Sequence, residues 1–164
     1  MNKTIYKVFA GSTADRTHAA SAAIIEKNGK IEGEARARVL PGATNPYALL
    51  DGYALGLSGI STEEAKDADI LCVCTTPWIV ELANQHIASL LDNYAGVTAA
   101  GRDLANIEAW ERLRKEALRL GGLPCDSGRV RFVALSDLHD KLHIENARRQ
   151  AKRTRKVAQR KAGA

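Results

Sequence analysis

The chain has 164 residues, 45% hydrophobic and 26% charged, the make-up of one globular domain with a real core. No apolar run approaches the roughly 18–20 residues of a membrane helix, and Met1-Asn2-Lys3-Thr4-Ile5 leads straight into a strand-like segment, so the expectation is a cytoplasmic protein with no membrane partner. The net charge is +5, yet all 19 acids lie at or before Glu145, and eight of the 24 Lys and Arg lie beyond Ala147; residues 1–147 are slightly acidic and the positive charge is a C-terminal device.

Thr4 to Ala10 reads as a strand, with Tyr6 and Val8 on one face and Lys7 and Phe9 on the other, ended by Gly11-Ser12-Thr13. Ala19–Lys27 and Lys30–Leu40 read as two more strands joined at Asn28-Gly29, a pair that tolerates the positive φ of a tight hairpin, and Pro41-Gly42 stops the third. From Asn45 the apolar period becomes helical through Leu49, Leu50, Tyr53, Ala54 and Leu57, with Asn45 as expected N-cap and Pro46 in the first turn. Ser61-Thr62-Glu63-Glu64 offers a short helical start.

Ile70-Leu71-Cys72-Val73-Cys74 is a continuous apolar run of the kind found in a central parallel strand. Cys72 and Cys74 share one face, and with no paired histidines or second such motif they read as core residues, not metal ligands. Three cysteines make no disulfide framework. A helix follows from Pro77 to Leu91, then a loop over Asp92–Ala105, a helix over Asn106–Leu120 closed by Gly121-Gly122, a fifth strand over Val130–Leu135, and a last helix from Ile144. The order β-β-β-α-β-α-α-β-α predicts an α/β fold, a mixed five-stranded sheet with helices on its faces. The expected division is a domain over 1–147 and a basic helix or tail over 148–164.

This order, over about residues 5–155, resembles ribonuclease H of the bacterial type 1 kind. Val8-Phe9-Ala10-Gly11-Ser12 resembles the first-strand segment that in the family ends Asp-Gly-Ser, and Asn45-Pro46-Tyr47-Ala48-Leu49 the family's Asn-x-x-Glu-Leu. Cys74-Thr75-Thr76-Pro77-Trp78-Ile79-Val80 stands where the family reads Thr-Asp-Ser-x-Tyr-Val, and Trp110-Glu111-Arg112-Leu113 resembles its Leu-Trp-x-x-Leu helix. His143-Ile144-Glu145-Asn146-Ala147-Arg148-Arg149-Gln150 has the spacing of its closing His-x-x-Asn-x-x-x-Asp.

The family's four carboxylates hold two Mg²⁺ that activate water and stabilise the leaving oxygen. The resemblance places Ala10, Ala48, Thr76 and Gln150 at those four positions, and none offers the hard anionic oxygen that magnesium requires. It therefore implies a catalytically inactive relative with no cofactor. It also implies a nucleic-acid-contacting role for the retained Gly11, Ser12 and Asn45, whose simpler roles are turn glycine and helix cap.

An alternative is a divergent nuclease using Mg²⁺ or Mn²⁺ on relocated carboxylates. Asp51, one turn after Ala48, and Asp15, after the first strand, are the foremost candidates; Asp137 and Asp140, before the last helix, are like Asp15 in loops that could face the site, and Asp67 and Asp69 lie at the wrong end of their strand. A histidine of this region helps release product in the family; without metals, His139 and His143 are expected to pack or hydrogen-bond locally. A third reading is a protein-interaction scaffold on the same fold.

Arg148, Arg149, Lys152, Arg153 and Lys156 are the expected phosphate contacts, because a dense cationic segment displaces condensed counterions from nucleic acid. With no aromatic residue among them, base stacking by this segment is not expected.

Overall fold

Two long strands carry the architecture. In the computed structural model, which describes residues 3–98, 101–102 and 104–163, β1 (Thr4–Ala14) pairs antiparallel with β2 (His18–Lys27) from Tyr6↔Lys27 to Ala14↔Ala19. Gly11-Ser12-Thr13 does not end β1 as expected. The partners of Gly11 to Ala14 are Ala22, Ser21, Ala20 and Ala19, small residues against which the strand continues.

The expected third strand is two. β3 (Lys30–Ile31) closes the hairpin at Asn28-Gly29, both at positive φ, and β4 (Arg36–Pro41) pairs with β2 from Ala23↔Arg36 to His18↔Pro41. Between them four residues, Glu32 to Ala35, face only Ile24 and Ile25 on β2, and Gly33 at φ 68° turns the chain out of register. Binary pattern alone does not report such a bulge, so the sheet has six strands instead of five.

β5 (Ala68–Cys74) lies parallel to β1 on its other side, and β6 (Val130–Ala134) parallel to β5, giving the order β3-β2-β1-β5-β6 with β4 also on β2. The apolar run at Ile70 to Cys74 is thus the central parallel strand it resembles.

One face of the sheet carries α1 (Asn45–Leu57), with α5 (Ile107–Arg119) packed on it. Tyr6, Val8, Ala10, Ile70, Cys72 and Cys74 bury against Leu50, Tyr53, Leu57, Trp110 and Leu113 there. Gly56 brings α1 close, since a β-carbon on it would sit 2.4 Å from Val8 Cγ1. Thr44, not Asn45, caps α1, its hydroxyl accepting from the Tyr47 amide at 3.3 Å, and Asn45 falls one residue inside the helix. A short α2 (Thr62–Ala65), capped by Ser61, precedes β5.

The helix expected after Pro77 is interrupted. α3 (Pro77–Glu81) passes through a π-helical turn, Leu82–His86, into α4 (Ile87–Asn93). From that turn the Asn84 amide donates to the Phe132 carbonyl at 2.8 Å and accepts from the Phe132 amide at 2.9 Å, supplying β6 with the pairing that a further strand would give. Asp92 and Asn93 of the expected loop belong to α4, and its Ala99, Ala100 and Asp103 lie outside the described residues. No helix of the described residues is long and apolar enough to cross a membrane.

The opposite face belongs to α6 (Leu138–Ala162), which starts six residues before the expected Ile144 because Asp137 caps it, accepting from the Asp140 amide at 2.9 Å. Ile144 and Ala147 pack with Phe9, Ile24 and Val73, and Ala151 packs with Ala20 and Ala22. The expected boundary at 147/148 falls inside this continuous helix.

Candidate nucleic-acid interface

β1 outruns its parallel neighbour. Its last pair with β5 is Phe9↔Val73, while its pairing with β2 continues to Ala14, so past Phe9 its β5-side edge has no strand beside it. Cys74 ends β5, and Thr75-Thr76 turns away into α3, the Thr76 amide held at 3.4 Å by Cys74 Sγ. A β-carbon on Gly52 of α1 would lie 3.0 Å from Ala10 Cβ, and Ala48 lies one turn earlier on the same helix.

Ala10 and Ala48 thus pack between β1 and α1 near the end of β5, and Thr76 begins the turn that follows it. Ala10 and Ala48 are buried methyl groups. Gln150 lines the groove of about 420 Å³ between α6 and β4, with Val39, Arg153 and Val157.

Ser12 and Asn45 meet where the start of α1 lies beside β1, the serine hydroxyl donating to Asn45 Oδ1 at 2.8 Å. Gly11 is covered by α6: a β-carbon on it would lie 2.2 Å from the Arg148 nitrogen and 2.4 Å from the Ala147 carbonyl carbon. Its missing side chain admits helix backbone.

Four of the candidate relocated acids are engaged in structural roles. Asp51 is fully buried and accepts from Ser21 Oγ at 2.7 Å, Arg38 Nε at 2.7 Å and Arg112 Nη1 at 2.5 Å, with a further bond from Arg38 Nη2. Burial by itself raises its pKa; the hydrogen bonds from Arg38, Ser21 and Arg112 and the Arg38 charge outweigh it and hold the carboxyl below its ordinary range. Asp15 sits in the β1–β2 turn, its pKa lowered to about 2 chiefly by the His18 and Thr17 amides. Asp137 caps α6, and Asp140, 2% exposed, pairs with Lys7 at 3.1 Å. Asp69 pairs with Lys3 at 2.8 Å.

Among the described residues no three His, Cys, Asp or Glu side chains gather where a metal ion could be held. A two-magnesium centre does not fit these residues, because at Ala10 and Ala48 there is no donor and Asp51 already serves two guanidinium groups. The clamp of Ser21, Arg38 and Arg112 on Asp51 has no signal in the sequence, since its members come from β2, β4 and α5.

His143 lies within α6, its ring 4.8 Å from that of Phe9 and its Nε2 3.3 Å from Glu26 Oε2. His139 is exposed in the first turn of the same helix.

The remaining surface of α6 is cationic. Arg148, Arg149, Lys152, Arg153, Lys156 and Arg160 are all exposed, at spacings of three and four that set them along one side of the helix, away from buried Ala147 and Ala151. Among the described residues none of the six pairs with a carboxylate.

No family model matches the sequence, and no curated protein matches it. Solved structures do. LC9-RNase H1, a type 1 RNase H with the type 2 active-site motif, superposes with a TM-score of 0.67 at 11% identity over 96% of this chain and 74% of that one. LC11-RNase H1, isolated from compost, gives 0.63 at 13% identity over 96% and 99%. A foamy viral protease-reverse transcriptase in complex with RNA/DNA hybrid gives 0.62 at 12% identity over 93% of this chain but only 20% of that longer one. At such identities likeness speaks for architecture alone. With a hairpin-led mixed sheet, α1 and α5 on one face and α6 on the other, this chain has the ribonuclease H fold.

Proposed function

We propose that this protein binds nucleic acid, an RNA–DNA hybrid or an RNA duplex, without cutting it. The observation that carries the reading is the exposed cationic side of α6, on a fold whose positions Ala10, Ala48 and Thr76, near the end of β5, carry no carboxylate. A cutting site of this architecture needs anionic oxygens to hold magnesium, and these positions supply none. A phosphate-binding surface needs cations that are free to exchange counterions for phosphates, and α6 supplies them. The foamy viral structure with hybrid agrees with this reading. Recognition of this kind works through helix shape, 2′-hydroxyls and phosphates.

The test is one assay on the full chain with a labelled hybrid, with and without Mg²⁺ and Mn²⁺. The expected outcome is binding that weakens steeply as salt rises, and an intact RNA strand with either metal. Cleavage that disappears in Asp51→Asn would establish the divergent nuclease instead. No binding even at low salt would leave the interaction scaffold as the reading.

A further inference from the structure

We propose that the outer edge of β4, with the groove between β4 and α6, takes up an extended acidic segment of a partner protein as a further strand of the sheet. This is independent of the nucleic-acid reading, which uses another side of α6.

The backbone of β4 supplies the first argument. The Gly42 amide donates to the Thr17 carbonyl at 3.0 Å, and Pro41, opposite His18, has no N–H. An antiparallel ladder alternates, so Arg38 and Leu40 spend their backbone groups on β2, while Ala37 and Val39 turn theirs outward. β4 pairs with β2 alone, so among the described residues no strand receives those outward groups. An edge of this kind is a template for an added strand.

The side chains over that edge supply the second. Ala37 packs with Ala20, Ala22 and Ala151, so the α6 face of β4 carries Ala37 and, two residues on, Val39. Val39 floors the groove, and Thr154, Val157 and Ala158 of α6 stand over it. Val157 keeps 48% of its surface exposed although it sits beside a sheet edge. A strand laid along β4 would cover it, as α6 already covers Ala20 and Ala22.

Charge selects the occupant. Arg153 and Lys161 flank the groove, and no carboxylate lines it. Neither cation is paired with an acid among the described residues. A second copy of this chain would bring the same two cations onto them, which disfavours pairing of like edges. Nucleic acid would satisfy the cations but neither the apolar floor nor the strand-spaced amides and carbonyls. An extended segment that alternates apolar and acidic residues meets all three. Helical spacing sets the groove residues Gln150, Thr154, Val157 and Lys161 on a different side of α6 from Arg149, Lys152 and Lys156, with Arg153 at the border.

The test uses the full chain and a fluorescein-labelled peptide of eight alternating valine and glutamate residues. Anisotropy titration is expected to show binding that weakens with salt. Arg153 and Lys161 changed together to Gln should lose about fivefold or more, and Lys115→Gln, on α5, should change affinity by less than about twofold. Val39→Pro removes an outward N–H without touching the ladder to β2, and should lose about tenfold or more with the thermal midpoint nearly kept. Hydrogen exchange on the unmutated chain reads the edge directly: the peptide should slow the Ala37 and Val39 amides about tenfold or more. Absence of binding overturns the proposal, as does binding that leaves those two amides unchanged. Equal affinity for a valine–lysine peptide overturns the acidic occupant. Slowing of the same amides by a labelled hybrid in place of the peptide gives the groove to nucleic acid, and slowing by self-association with no peptide gives it to a second copy; either result overturns the proposal.

Discussion

At the scale of single residues, Asp51 is the most constrained side chain in the molecule. It has no exposure, and its two oxygens take hydrogen bonds from a serine and two arginines that link β2, β4, α1 and α5. Removing one partner of a fully buried ion pair costs roughly 3–5 kcal/mol. Arg38 and Arg112 keep 38% and 42% of their side chains in solvent and can rehydrate, so Asp51→Ala is expected to cost less, about 2–3 kcal/mol in urea unfolding. Its pH dependence has a definite sign. The folded pKa lies below the ordinary 3.8, so the carboxylate's contribution is complete above that value and is lost as pH falls through the folded pKa. Wild-type stability should therefore fall below about pH 4 more steeply than that of Asp51→Asn, as successive urea titrations at descending pH would show.

Among the elements, the packing of β1 on α6 depends on one absent side chain. Gly11→Ala would drive a β-carbon into the Arg148 nitrogen at 2.2 Å, a backbone atom that can yield only if the helix moves. The expected cost is about 3 kcal/mol or more, measured as a drop in the unfolding midpoint. Gly11 also shows why a retained motif residue can mislead. Glycine at the end of a first strand reads as a place for substrate to approach, and here the approaching backbone is the protein's own. Likewise, the sequence places Asn45 at a helix start, but Thr44 takes the cap and Asn45 is left to accept a hydrogen bond from Ser12.

For the molecule as a whole, α6 is both a packing element and the proposed interface. Residues 148–164 include buried Ala151 and the backbone that covers Gly11, so deleting them is expected to lower stability as well as affinity. Charge neutralisation separates the two roles. Arg149, Lys152, Arg153 and Lys156 changed together to Gln should leave the thermal midpoint within a few degrees of wild type, because all four are exposed and unpaired with carboxylates among the described residues. The same variant should bind hybrid more weakly and with a flatter dependence on salt, the log–log slope shrinking by about one for each phosphate that is no longer neutralised. Calorimetry and the binding titration together check both halves.

Periodicity was sufficient for the core. The alternation in Tyr6 to Phe9, the apolar run Ile70 to Cys74 and the helical spacing of Trp110, Leu113 and Ala117 each bury as their patterns imply, because burial of a face depends on side chains a few residues apart along the chain. The charge asymmetry beyond Ala147 was equally plain. The bulge between β3 and β4, the continuation of β1 past Gly11, the π turn that brings Asn84 to Phe132 and the early start of α6 were not legible, since each depends on what lies opposite. The site was half legible: that Ala10, Ala48 and Thr76 carry no carboxylate is read from the sequence, but only the folded chain lays the Arg148 backbone on Gly11 and closes two arginines on Asp51. Pairings between residues far apart in the chain, such as Arg112 with Asp51 and Arg148 with Gly11, leave no trace in local pattern; they arise when a sheet and two helix layers pack together.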